Sequence, residues 1–414
     1  MRNGTAFISI CVTLLFSFVF LSGAEPLTLA QCLEFARENS PDLIQARIAI
    51  ERAHLGVISA ESRNYPEIRV STGASRFGNE SRSNNSYSSN LILNYSIFRG
   101  GYDKANIEIA RLNEKISKEN YRANEQQVFL SIKEVFYKIL QKEEQLKLIG
   151  RILERRRADH ILIKLKYQSG RESAPAVKEA ELNVINAEYD SISAESELRL
   201  ARMELNLLLG RPKDAELIIT HEDEEFELLP VEALIETAKV SRPEKIIELL
   251  NYEIKKQLLA QAKSEYAPEV ALSFSYGWAG NKFFDQSRAW SIGANLSLNL
   301  FDGFLRQTKV KDSKSAILQE EFKLKSVDQQ IVNDVESAYS NLVLAKKKFE
   351  IAQKSVEVAR EVYELTKLQY EEGITSYFFL QQKESELTQA EYSNINALYN
   401  LRLTRARLQN AIGK

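Results

Sequence analysis

The chain has 414 residues, long enough for two to three domains. Its 55 Lys and Arg against 57 Asp and Glu leave a formal charge of −2, which excludes a polycation that binds nucleic acid by neutralising phosphates. With 2 cysteines and 3 histidines there is too little for a disulfide framework, a Cys/His zinc site or a Cys–His nucleophile pair, and no cofactor is expected.

Residues 1–24 read as a secretory signal peptide. Phe7 to Leu21 is apolar for 15 residues, short of the roughly 20 that a spanning helix needs. Ser22-Gly23-Ala24 then offers a small-residue cleavage site. Cleavage would remove Cys11 and leave Cys32 alone, so no intrachain disulfide is expected, and no cysteine follows the apolar run to carry a lipid anchor. The rest of the chain has no apolar stretch long enough for a membrane helix, so it must enter a membrane, if it does, as strands.

The chain is written twice. Ser40-Pro41-Asp42 matches Arg242-Pro243-Glu244, and Tyr65-Pro66-Glu67 matches Ala267-Pro268-Glu269, both at an offset of 202. Ile97-Phe98-Arg99-Gly100 matches Leu300-Phe301-Asp302-Gly303, and Tyr167-Gln168-Ser169-Gly170 matches Tyr370-Glu371-Glu372-Gly373, both at 203. A period this long makes each half a complete structural unit. The expected organisation is a first repeat at 25–210, a linker at 211–230 and a second repeat at 231–414. Within each repeat the expected order is a helix, two strands and then two helices.

Residues 102–169 hold one glycine and no proline, and 304–372 hold neither. Apolar positions recur there at helical spacing, as in Val128, Ile132, Val135, Phe136 and Ile139. Helices of this length would be roughly 100 Å long and would pack as coiled coils. Second helices are expected at about 176–209 and 374–412, with Gly170 and Gly373 as the turns of two helical hairpins.

Four segments alternate with a period of two: about 67–77, 90–98, 269–278 and 290–301. Their apolar positions are Ile68 and Val70; Leu91, Leu93 and Tyr95; Val270, Leu272, Phe274, Tyr276 and Trp278; and Trp290, Ile292, Leu296 and Leu298. These are expected to face lipid, with aromatics near the strand ends. The polar stretches Gly78–Ser89 and Ala279–Ala289 are expected to be loops. Four strands are too few for even the smallest membrane barrel, so the chain must close a ring with copies of itself: two copies give 8 strands, three give 12.

This pattern over residues 27–413 resembles the TolC family of outer-membrane efflux proteins. The likeness rests on the duplication, on the strand–helix joints Phe98-Arg99-Gly100-Gly101 and Phe301-Asp302-Gly303-Phe304, and on the turns Tyr167-x-x-Gly170 and Tyr370-x-x-Gly373. It implies a mainly helical fold, in which a trimer joins a 12-stranded barrel in the bacterial outer membrane to a helical tunnel in the periplasm. It also implies a passive exit duct for drugs, metals or secreted proteins, in a tripartite efflux or type I secretion system with a periplasmic adaptor and an inner-membrane pump. Tyr167, Gly170, Ser173, Tyr370, Gly373 and Ser376 would then lie at the periplasmic tip, where the adaptor docks. Members often carry an aspartate six residues after the tip glycine; here those positions are Ala176 and Phe379, so Phe379 is expected to form an apolar constriction instead.

Other features read as ordinary. Arg155-Arg156-Arg157 is expected to face water, and Glu222-Asp223-Glu224-Glu225 to be solvated linker charge. No phosphate-binding loop and no nucleophile elbow occurs, so the energy for transport must come from a partner and no enzymatic activity is expected. The competing expectation is a periplasmic coiled-coil scaffold or adaptor without a channel, which requires the four strands to be soluble.

Overall fold

The computed structural model describes residues 26–79, 82–220, 229–282 and 288–413. The signal-peptide segment 1–24 and the acidic run at 222–225 lie outside them. The elements in chain order are α1 (Leu29–Asn39), α2 (Pro41–Glu61), β1 (Glu67–Asn79), β2 (Arg82–Arg99), α3 (Tyr102–Gln168), α4 (Ala174–Leu208), α5 (Val231–Ser241), α6 (Pro243–Ser264), β3 (Glu269–Gly280), β4 (Arg288–Ser297), α7 (Leu305–Glu371) and α8 (Tyr377–Ala411). The duplication is visible in the lengths: α3 and α7 have 67 residues each, and α4 and α8 have 35 each.

Two helices, not one, precede each strand pair. Ser40 and Arg242 sit at ψ 126° and 125°, the extended conformation that a following proline imposes. Pro41 and Pro243 then open α2 and α6 at the first helical position, where no backbone donor is missed. The strands also differ from their expected bounds. β1 runs to Asn79 and β2 starts at Arg82, so most of the expected loop 78–89 is paired strand. Its Ser and Asn side chains are polar on both faces, which hides the period of two while leaving the backbone free to pair. β4 stops at Ser297, before Leu300.

The four strands form one antiparallel sheet in the order β1-β2-β3-β4. The register lays the apolar positions in rows across one face: Ile68, Leu93, Phe274 and Ile292 in one row, Val70, Leu91, Tyr276 and Trp290 in the next. The opposite face carries rows such as Glu67, Asn94, Ser273 and Gly293. The extensive contacts of each strand are with other strands, so among the described residues no helix covers either face. Ile68, Val70, Trp290 and Ile292 are exposed accordingly. β1 and β4 each pair on one side only.

The helices form a layer one helix thick. Near the strands its order is α2, α3, α6, α7; farther away α4 and α8 take the places of α2 and α6 beside the long α3 and α7. Each strand is therefore continued by one helix in the same lateral order. At the waist, where α2 gives way to α4, Cys32, Ala36 and Leu43 pack on Ile132, Phe136, Leu205 and Leu209. Burial pushes the Cys32 thiol up to about 11, so it stays protonated and inert. The two outer edges of the layer are apolar and uncovered. Leu182, Ile185, Tyr189 and Ile192 recur along α4, and Leu344, Ile351, Val358 and Leu365 recur every seven residues along α7.

The strand–helix joints repeat with variations. Gly100 and Gly303 hold φ of 62° and 67°, and Gly101 holds 88°. A Cβ on Gly100 would lie 2.4 Å from the Ser264 carbonyl oxygen. Arg99 pairs with Asp103 in the first joint, and Arg306 Nε donates to Asp302 at 2.7 Å in the second. The acid and the base have exchanged places while the pairing four residues apart is kept. At the position equivalent to Gly101 stands Phe304 with φ 69°, the sole non-glycine residue with positive φ among those described. That conformation costs a residue with a Cβ roughly 1–2 kcal/mol. We expect Gly101→Ala to lose about that much stability. Gly100→Ala should lose distinctly more, because the Ser264 carbonyl is in the way; urea unfolding followed by helical circular dichroism measures both.

Candidate functional site

The candidate site is the far end of the helical layer, where the hairpins α3–α4 and α7–α8 turn. Both turns close alike. Gly170 N–H donates to the Tyr167 carbonyl at 2.9 Å and Arg171 N–H to the Lys166 carbonyl at 2.8 Å. Gly373 N–H donates to the Tyr370 carbonyl at 3.1 Å and Ile374 N–H to the Gln369 carbonyl at 2.8 Å. The glycines supply the left-handed residue, with φ of 73° and 79°, that ends such a helix. Ser173 then caps α4, its Oγ accepting from Ala176 N–H at 3.4 Å, and Pro175 occupies the first turn, where it misses no hydrogen bond. Ser376 caps α8 in backbone geometry, without a side-chain bond.

Behind the turns lies a separate apolar cluster of Ile163, Ala176, Ala180, Tyr363, Tyr370, Tyr377, Leu380 and Leu387. The two tip tyrosines differ: Tyr370 is 2% exposed and Tyr167 is 47% exposed. Tyr370 O–H donates to Glu172 Oε2 at 3.0 Å, tying the end of α7 to the first turn. The Lys166 ammonium lies 4.1 Å from the centre of the Tyr370 ring and also donates to the Tyr370 carbonyl. Burial, and then the Glu172 carboxylate, push the Tyr370 phenol up, so it remains a donor. Asn183 Nδ2 donates to the Tyr377 hydroxyl at 3.3 Å, and Gln381 Nε2 to Glu179 Oε1 at 3.1 Å. The two hairpins are thus bound together by polar ties at their ends.

Ala176 is fully buried within this cluster, whereas Phe379 is 43% exposed in the first turn of α8, with the Lys383 ammonium 5.3 Å from its ring centre. Of the two positions, Phe379 alone has an exposed side chain.

A few turns from the tip, α3, α7 and α8 enclose a charge network, and here Arg155 and Arg156 do not face water. Arg155 bonds Glu391 at 3.2 Å and Thr388 Oγ1 at 3.0 Å. Arg156 reaches the Asn183 carbonyl at 3.2 Å and lies 3.7 Å from Glu384. Arg360 lies 3.5 Å from Glu391. Asp159 is buried beside them, and burial pushes its carboxyl up to about 6 against the opposing pull of Lys367. Arg157 faces water as expected, paired with Glu188, whereas the acidic partners of Arg155 and Arg156 lie more than 200 residues away in sequence, on α8. Among the described residues no group of three or more His, Cys, Asp or Glu could hold a metal ion. No described helix is long and apolar enough to cross a membrane.

Comparisons with known proteins agree with this geometry. The family model described as "Outer membrane efflux protein" matches residues 32–211 and 253–414. The outer membrane protein TolC of Vibrio cholerae is 20% identical over 406 residues, covering 93% of this chain and 90% of that protein. The Campylobacter jejuni CmeC outer membrane channel superposes with a TM-score of 0.81 at 17% identity, covering 93% of this chain and 85% of that one. The open state of the Neisseria gonorrhoeae MtrE outer membrane channel gives 0.80 at 19%, covering 93% and 88%. With strand pairs running into helical hairpins twice over, and the family pattern spanning both repeats, the chain belongs to the outer membrane efflux protein family.

Proposed function

We propose that three copies of this chain form a passive exit duct, which conducts the cargo of an inner-membrane pump through the outer membrane. The protein sits in the bacterial outer membrane, with its helical part extending into the periplasm. The observation that carries the reading is the strand-by-strand continuation of an open-edged sheet into an open-edged helical layer. Three copies give 12 strands and a 12-helix wall around one lumen. The apolar sheet face takes the lipid and the polar face lines the water. The apolar edge of α4 meets the apolar edge of α7 in the next copy. A soluble scaffold would leave these rows of Ile, Leu and Trp in water.

The duct does no chemistry. Its tip is the working part: Tyr167, Gly170, Ser173, Gly373 and Ser376 present the surface on which a periplasmic adaptor docks, and Tyr370, buried beneath it, holds that surface in shape. Phe379 narrows the passage there. Opening the tip means separating the hairpins, and the Tyr370–Glu172 bond resists that.

Three outcomes test the reading. Ile192→Glu combined with Ile351→Glu should dissociate the assembly to monomers in light scattering, because each buried carboxylate would cost several kcal/mol. Tyr370→Phe removes a bond to a charged group, a contribution of about 1.5–3 kcal/mol. Open probability in planar bilayers should then rise about tenfold or more; Glu172→Ala, which removes the acceptor, should match it without adding to it, and Phe379→Ala should raise the conductance of the open pore. The third concerns pH. The folded Asp159 carboxyl titrates near 6, above its ordinary 3.8, so the folded state binds the proton more tightly. Tip stability is therefore greatest below the ordinary value and falls as pH rises through 6, by up to about 3 kcal/mol. Asp159→Asn should abolish that loss, read as the thermal midpoint between pH 4 and 7.

A further inference from the structure

The left-handed Phe304 is unexplained by anything inside the chain. At the equivalent joint, 203 residues earlier, the same backbone conformation is taken by Gly101, which has no Cβ to strain. Phe304 is 61% exposed and lies edge to face with Phe301, ring centres 5.6 Å apart; Phe301 is itself 72% exposed. A strained backbone that displays an aromatic ring calls for a gain outside the chain.

The duplication tells which surface this ring faces. The first joint is flanked on both sides by its own chain, so it reports what the second joint meets once a neighbouring copy is in place. Gly100 is crowded there, with Ser264 O and Ala267 Cβ at 2.4 and 2.6 Å from an added Cβ. Gly101 is not: nothing lies within 4 Å of an added Cβ. The Cβ position of Phe304 therefore stays clear after the copies close, and its ring lies in a shallow groove that the neighbouring copy's α2 flanks on one side, as Gln257 and Ala260 of α6 flank the groove at Gly101. It also lies on the outer side. Arg99, Glu269, Ser297, Asn299, Asp302 and Arg306 line one shallow groove that continues the polar face of the sheet. Gly101 opens instead on a different groove, with Lys104, Glu108 and Arg111. Their equivalents after Phe304 are Gln307, Lys311 and Lys314, so two exposed cations follow the ring on the same side.

We propose that Phe301 and Phe304 form a lipid anchor at the inner-leaflet boundary of the outer membrane, with Lys311 and Lys314 reaching the phosphates of anionic phospholipids. This rests on the channel reading above. Aromatic rings favour the interface between headgroups and chains, and lysine stems reach along an apolar surface to place their charge in the headgroup layer. The energy gained there offsets the left-handed backbone at Phe304.

Two single-tryptophan proteins, in vesicles of phosphatidylethanolamine and phosphatidylglycerol brominated on the acyl chains, test it. One keeps Trp290 by Trp278→Phe; the other carries Phe304→Trp with Trp278→Phe and Trp290→Phe. The anchor predicts that the indole at 304 is quenched at least twofold more by bromines near the carboxyl end of the chain than by those near the terminal methyl. Quenching of Trp290 without quenching at 304 overturns the anchor and leaves the channel reading standing. Quenching of neither overturns the channel reading itself. An indole at 304 shielded from both bromolipid and aqueous iodide shows that a neighbouring copy covers it, which also overturns the anchor. In Phe304→Gly, which relieves the backbone, the thermal midpoint in detergent should hold or rise, while the gain on transfer into vesicles shrinks; an unchanged gain counts against the anchor.

Discussion

The outer edges of β1 and β4 govern everything else in this molecule. Each carries backbone donors and acceptors with no strand partner among the described residues, and in hydrocarbon each unsatisfied group costs several kcal/mol. The strands alternate in direction, so β4 of one copy meets β1 of the next antiparallel, and the ladder continues unchanged across the boundary. Because each strand runs into one helix in the same lateral order, the rotation that closes the sheet also closes the helical layer. Barrel and tunnel are one closure problem with one solution, and the apolar seams on α4 and α7 are the helical counterpart of the unpaired strand edges.

The sequence shows this design wherever local chemistry forces it. Glycines at 100, 170, 303 and 373 stand where the chain turns left-handed, and prolines at 41 and 243 stand where one helix ends and another begins. The apolar rows of the sheet are legible because one face of all four strands admits few polar residues. Legibility fails where no medium selects. The paired stretch from Ser83 to Ser89 reads as loop because water on both faces leaves no alternation. The tip fails for a different reason. The partner of Tyr370 is Glu172, two residues past the first tip glycine on the other hairpin, and sequence spacing within one hairpin cannot show a bond between two. Arg155 and Arg156 read as solvated charge for the same reason, since Glu384 and Glu391 lie across the repeat boundary.

Duplication gives each structural position two environments, one inside the chain and one between copies, and the repeats have diverged where those environments differ. Where the local need is the same, the chemistry is kept in substance if not in letter: Arg99 with Asp103 becomes Asp302 with Arg306, the same ion pair with its ends exchanged. Where the surroundings differ, the residues part company. Tyr370 is enclosed by α3 and the first turn of its own chain and holds the hairpins together, while Tyr167, at the end of α3, is exposed. The buried network of Arg155, Arg156, Glu384 and Glu391 likewise exists only across the α3–α8 contact within a chain.

That asymmetry assigns two mechanical roles to one hairpin design. Inside the chain, α3 and α8 are joined by charged groups that lose much if separated, since a buried charge stripped of its partner costs about 3–5 kcal/mol. Between copies, α4 and α7 offer apolar seams, whose contacts are non-directional and can slide with little loss. The widening proposed for the tip, with the wall staying closed, is served by this division. The α3–α8 network holds the body of each chain's two hairpins together, so the opening proposed above is confined to the turns beyond it, where the Tyr370–Glu172 bond must break, and any shift of the body is taken up at the seams.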